Sequence, residues 1–200
     1  MDRDVGASET FNRDAAGEAA AGEAAVRQTA RGDHHAFGRI VEAHQRRIFA
    51  YLGRMGIDRA TAEDIAQDTF LRVWRNAGQF NPKRGNLTTW ILTIARNLAS
   101  TRLSRPERRD EGLGPEAADE VVSDLPLPDA ELLAAQRRMR LHRALGRLLP
   151  ADRALLAASY FDDLDVADIA RIEGCSAGAA KVRLHRARVR LRQILENDDA

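Results

Sequence analysis

Four of the six prolines, Pro106, Pro115, Pro126 and Pro128, fall in one stretch from 106 to 130. That stretch also holds eight acids and only two bases, Arg108 and Arg109. Proline fixes φ and removes a backbone donor, so it interrupts helices and sheet ladders alike. A segment this acidic, with few large apolar side chains, cannot bury enough surface to offset the entropy of ordering it. The chain therefore divides. Its 200 residues leave room for two small domains, one on each side.

Neither flank shows strand-like alternation. Aromatics are only 5% of the chain, and Ala, Leu and Arg dominate it, a bias that favours helices. The expected fold is all-α: two small helical domains joined by a flexible acidic linker, the second domain a helix-turn-helix. The expected boundaries are a disordered tail over 1–30, a first domain over 31–105, the linker over 106–130, a second domain over 131–195 and a short tail over 196–200.

In the first domain Asp33 is placed to cap a helix whose stripe is Phe37, Val41, His44, Ile48 and Leu52. Gly56 ends it. Thr61 and Asp64 resemble a capping box for a second helix carrying Ile65, Thr69, Phe70, Val73 and Trp74. A Pro/Gly loop over 80–86 precedes a third helix from about Leu87 to Leu103. In the second domain a helix over Asp129–Leu148 stops before Pro150, which suits the first turn of the next, ending at Phe161. Asp165 and Ser176 are placed to cap a short helix and a long one, with Gly174 and Cys175 as the turn between them. Ala170 and Gly174 are four apart, which lets two helices approach and the backbone reverse.

The net charge is only +1, but the charges are segregated. Residues 81–105 carry five bases (Lys83, Arg84, Arg96, Arg102 and Arg105) and no acid. Residues 176–192 carry six (Lys181, Arg183, Arg186, Arg188, Arg190 and Arg192) and again no acid. A merely solvated helix face usually interleaves acids, so a basic helix after a short helix and a tight turn points to a DNA groove. The 81–105 stretch combines a basic Pro/Gly loop, Trp90 and Asn97, which suits single-stranded nucleic acid. By periodicity alone, Trp90 reads as core. The helix around Glu63–Arg75 places acids early and bases late, in keeping with the helix dipole, and by itself says only that it is amphipathic.

Catalytic patterns are missing. His34, His35, His44, His142 and His185 have no metal-ligand spacing, and no phosphate loop, GxSxG or GxGxxG occurs. The expectation is no enzyme, no metal and no cofactor. Cys175 is the sole cysteine, so no internal disulfide forms. No apolar run approaches a membrane span, and the N-terminus lacks the apolar core of a signal peptide. The expected location is cytoplasmic.

"AEDIAQDTFLRVWRNAGQF" followed by "GNLTTWILTIARNLASTRL" resembles region two of the extracytoplasmic-function sigma factors of bacterial RNA polymerase. "ALGRLLPADRALLAASYFDDLDVADIARIEGCSAGAAKVRLHRARVRLRQIL" resembles their region four, and the order and the loose connector match too. The resemblance implies binding to core RNA polymerase and promoter-directed initiation, usually under an anti-sigma factor. It places Asp64, Gln67, Asp68, Arg72 and Trp74 near the β′ clamp, although Trp74 also fits the core. It places Lys83, Arg84, Asn86, Thr88, Trp90, Arg96 and Asn97 at the minus-ten element. It places Ser176, Lys181, Val182, Arg183, His185, Arg186 and Arg188 at the minus-thirty-five element, with Arg188 and Arg190 as phosphate or polymerase contacts. The β flap is the expected partner of the fourth region.

The chain departs from the family in places. Trp90-Ile91 stands where housekeeping members have two aromatics. Glu173 stands where an apolar residue is common, and Ala179 and Val182 where Thr and Ser are. Two rival readings remain from the residues alone: a stand-alone helix-turn-helix regulator, and an all-helical adaptor that binds no DNA.

Overall fold

A computed structural model describes residues 17, 19–103, 129–161 and 164–198. The expected linker as far as residue 128, and the tail as far as residue 16, lie outside the described residues, whereas residues 129 and 130, read as the linker's end, already belong to a helix. Among the described residues there are eight α-helices: α1 over 19–29, α2 His34–Arg54, α3 Arg59–Asn76, α4 Leu87–Leu103, α5 Asp129–Gly146, α6 Pro150–Phe161, α7 Val166–Glu173 and α8 Ala177–Asn197. No described residue is in a strand.

One boundary differs from expectation. Residues 19–29, read as part of a disordered tail, form α1, with Ala25, Val26 and Thr29 buried. Thr29 Oγ1 donates to the Ala25 carbonyl at 2.8 Å, and Arg39 of α2 donates to Gln28 at 2.7 Å. Alanine is the best helix former, so an alanine-rich segment needs only a small apolar foothold to dock. Val26 provides it.

The first domain is built from α1 to α4. Asp33 accepts from the His35 and Ala36 amides at 2.8 and 3.0 Å and starts α2. Ala36, Ile40, Ile48, Tyr51 and Leu52 bury one face of it. The cap of α3 is Asp58, in extended backbone, accepting from the Thr61 amide at 2.9 Å. The expected capping box of Thr61 and Asp64 is therefore one turn too late: Thr61 is buried and Asp64 exposed. The nearest acid on extended backbone took the cap. Ile65, Ala66, Thr69, Phe70 and Val73 pack beneath α3, Thr69 back-bonding to the Ile65 carbonyl. Asn86 caps α4, accepting from the Thr89 amide and hydroxyl, both at 2.8 Å.

The second domain is α5 to α8. Arg153 of α6 donates to the Gly146 and Leu148 carbonyls at 3.0 and 3.1 Å, closing the open C-terminal end of α5. Asp165 caps α7 by accepting from the Asp168 amide at 2.7 Å. Gly174 then adopts φ +63°, a left-handed geometry that suits glycine. The Gly174 amide donates to the Arg171 carbonyl and the Cys175 amide to the Ala170 carbonyl, the paired bonds of a Schellman ending. Ser176 caps α8 by accepting from the Ala179 amide at 3.2 Å.

The two domains touch. α6 packs on α2 and α7 packs on α4, so buried side chains of both, including Ile91, Leu92, Ile169 and Ile172, join one apolar cluster. No helix among the described residues is long and apolar enough to cross a membrane.

Candidate nucleic-acid and polymerase interfaces

Alpha-helical periodicity sets the first surface. Asp64, Gln67, Asp68 and Arg72 are all exposed on α3, opposite its buried stripe. Leu71 lies among them, 43% exposed, an apolar residue where the stripe does not need one. Its signal in sequence was its position off that stripe. Asp64 also meets Arg102 of α4 at 3.7 Å, an exposed pair of small energetic weight. Trp74 does not share this face. Its ring stacks on His34 at 4.6 Å and meets Phe37 edge-on at 5.2 Å. Trp74 therefore belongs to the seam between α3 and α2, half-buried, the core option that its stripe position allowed.

The second surface surrounds the start of α4. Lys83 and Arg84 stand exposed on a single tight turn, Pro82–Arg84, whose start is fixed by Asn81 accepting from the Lys83 amide. Asn97 is exposed one face away. Four other expected residues are engaged already. Asn86 spends its oxygen on the α4 cap. Thr88 accepts from Arg47 at 3.3 Å. Trp90 is half-buried against Phe80, with ring centroids 5.4 Å apart. Arg96 pairs with Glu173 of α7 at 3.2 Å. Spacing brought these residues to one region, but it gave no hint of Arg47, Glu173 or Asp168, whose carboxylate takes Asn86 Nδ2 at 3.5 Å.

The third surface is α8. Ala180, Leu184 and Ala187 bury its inner face. Lys181, Val182, Arg183, His185, Arg186 and Arg188 are exposed on the outer one, as is the cap residue Ser176. No acid lies among them, and α7 with the Gly174 turn sets the helix against the domain. Arg188 also lies over the Tyr160 ring at 5.4 Å, and Arg190 pairs with Asp152 of α6. Arg190 is thereby a strut of the domain as much as a phosphate ligand.

Between α2 on one side and α5, α6 and α8 on the other runs an apolar groove of about 1250 Å³. Phe49, Leu156, Tyr160 and Leu191 line it, with Arg46 and Arg192 at its rim. Elsewhere on α2, burial holds the His44 imidazole pKa down to about 4, with the Arg47 charge adding to the effect. His44 Nδ1 is buried with no hydrogen-bond partner among the described residues.

The Sigma-70 region 2 family model matches residues 40–109, and the Sigma-70, region 4 model matches residues 138–191. The ECF RNA polymerase sigma factor RpoE of Cereibacter sphaeroides is 33% identical over 164 residues, covering 80% of this chain and 87% of that protein. The ECF RNA polymerase sigma factor SigW of Bacillus subtilis is 29% identical over 180 residues, covering 86% and 95%. Among solved structures, CnrH in complex with the cytosolic domain of CnrY shares the fold with a TM-score of 0.62 at 24% identity, over 89% of this chain and 99% of that one. The sigma factor RpoE of Bartonella quintana, in complex with the anti-sigma factor NepR, gives 0.56 at 24% identity, over 80% and 96%.

Proposed function

The chain belongs to the extracytoplasmic-function sigma factors of bacterial RNA polymerase, and from that premise we propose how its three surfaces divide the work of initiation. The exposed face of α3, with Asp64, Gln67, Asp68, Leu71 and Arg72, docks on the β′ clamp of core polymerase. The Pro82–Arg84 turn and α4 take the unpaired minus-ten strand. Lys83 and Arg84 attract its phosphates, and Trp90, Arg96 and Asn97 line the surface where its bases lie. The outer face of α8 enters the major groove at the minus-thirty-five element. Lys181, Val182, Arg183 and His185 meet base edges there, and Arg186 and Arg188 meet phosphate.

One observation carries this reading. α8 presents an exposed, acid-free row of cations, held by a short helix and a left-handed glycine turn. A helix kept for packing alone gains nothing from such a row, whose like charges repel.

Control by an anti-sigma factor belongs to the same proposal. A sigma factor of the same fold, RpoE of Bartonella quintana, is solved with the anti-sigma factor NepR. The apolar groove with its arginine rim suits an amphipathic acidic segment of that partner.

The test is co-elution of the full-length protein with core RNA polymerase. Asp64→Ala/Asp68→Ala is expected to weaken association at least tenfold while leaving the melting curve unchanged. Each of those carboxylates is exposed, and interface charges of this kind matter to binding far more than to folding. Undiminished co-elution of the double variant would move the clamp contact off α3. Tight specific DNA binding by the protein alone, with no polymerase association, would favour a stand-alone regulator.

A further inference from the structure

Glu173 ends α7, and its side chain is only 8% exposed. One of its oxygens, Oε2, accepts from Arg96 of α4 at 3.2 Å and from Arg183 of α8 at 3.4 Å. These arginines come from different domains. Each sits on a surface to which a DNA role is assigned above, and a single carboxylate pairs with both. Asp168, on the same helix, adds a second tie across the boundary. It accepts from Asn86 at the head of α4, and from Arg171 at 2.8 Å. The stem of Arg171 in turn passes 3.5 Å from the Cβ position of Gly85, next to Arg84. α7 thus lies over the loop and helix that would hold the unpaired strand.

A buried carboxylate is costly unless it is paired, and a buried pair roughly breaks even against an apolar contact. Such a pair fixes register while adding little net strength. A contact of this kind is specific and readily reversed.

We propose that Glu173 is an intramolecular latch. In the free protein it stands in for DNA, holding the two domains closed and masking Arg96 and Arg183. The latch opens when polymerase separates the domains and promoter DNA takes the two guanidinium groups. The proposal rests on the DNA roles given to those arginines.

The experiment compares the full-length protein with Glu173→Gln, Glu173→Lys and Asp152→Asn. The last removes the Arg190 partner within the second domain and changes net charge by the same amount as Glu173→Gln. Small-angle scattering measures the radius of gyration, and a fluorescent tailed DNA duplex of mixed sequence measures DNA binding by the free protein. Both Glu173 variants are expected to expand the chain and bind the duplex about tenfold more tightly, the factor of roughly one charge-assisted contact. Glu173→Lys should do so most, by repulsion from two arginines. Asp152→Asn should leave the radius unchanged, and its duplex affinity sets the baseline for freeing one arginine outside the latch. An unchanged radius in both Glu173 variants would overturn the latch. So would an expanded chain whose affinity for the duplex matches that of Asp152→Asn. Circular dichroism establishes folding, and if the Lys variant fails there, the Gln variant decides. The underlying DNA roles are read separately, by transcription of genomic DNA with reconstituted holoenzyme carrying Arg96→Ala or Arg183→Ala. Unchanged transcription there would remove the roles and leave the scattering result standing.

Discussion

Replacing Gly174 isolates the backbone cost of the turn that aims α8. The residue has φ +63°, and a Cβ added there meets nothing within 4 Å. Any penalty is then conformational and not a clash. Placing an L-residue with a Cβ in the left-handed region costs about 1–2 kcal/mol. Alanine also reduces the entropy of the unfolded chain, which returns about 0.4–1 kcal/mol where the native backbone tolerates it. The net expectation for Gly174→Ala is a loss of about 1 kcal/mol from the second domain. Gly174→Asn should lose only a few tenths, because asparagine visits this region with local hydrogen bonds. Gly174→Val should lose more than alanine, being stiff at χ1 and rarely left-handed. Urea unfolding followed by circular dichroism gives the three differences, read at constant m-value. Transcription from a minus-thirty-five-dependent promoter should fall in the same order, since the turn fixes α8 to α7. Equal losses for Asn and Ala, or a neutral Ala, would refute the reasoning. Either would mean that the turn relaxes to negative φ and that the paired Ala170 and Arg171 carbonyls do not need this ending.

Three other outcomes follow from the same geometry. His44 has its pKa lowered to about 4 in the folded chain. The unfolded chain therefore binds the proton first as pH falls, and stability is full above about 6.5 and declines toward pH 4. The decline is up to about 3 kcal/mol, less as water reaches the ring; His44→Gln should flatten that part of a stability-versus-pH curve. Ser176→Ala should cost about 1 kcal/mol by removing the α8 cap. Ser176→Asp should keep the stability while weakening holoenzyme binding to DNA, since its added negative charge sits at the groove end of α8; denaturation and filter binding separate the two effects. Arg186→Ala should weaken holoenzyme binding to all sequences alike and lower the salt slope by about one unit, whereas Val182→Ala should alter base preference and leave that slope unchanged.

The helical architecture and the division into two domains were legible because they depend on local pattern. Asp33, Asp165, Gly174 and Ser176 end or begin their helices where their chemistry demands, whatever packs nearby. The α3 cap was misplaced because Thr61 and Asp64 satisfied a spacing rule that Asp58 satisfied better, one turn earlier. α1 was missed because it holds by Val26 against neighbours, and alanine-rich acidic sequence resembles a disordered tail until that docking exists. The outer face of α8 was readable for a further reason: its cations from Lys181 to Arg190 have no acid within four residues on the same helix, so no local pair could disguise them. Arg96 and Glu173 are the opposite case. They are 77 residues apart, and each looks in sequence like an ordinary solvated helix charge. Their burial arises only when α7 settles on α4. The charge pattern along the chain identifies a cation that lacks a local partner. It cannot distinguish a cation kept free for DNA from one held by a distant carboxylate, because that difference lies in the packing of one domain on the other. In this chain that packing joins the two DNA-assigned arginines through the Glu173 carboxylate.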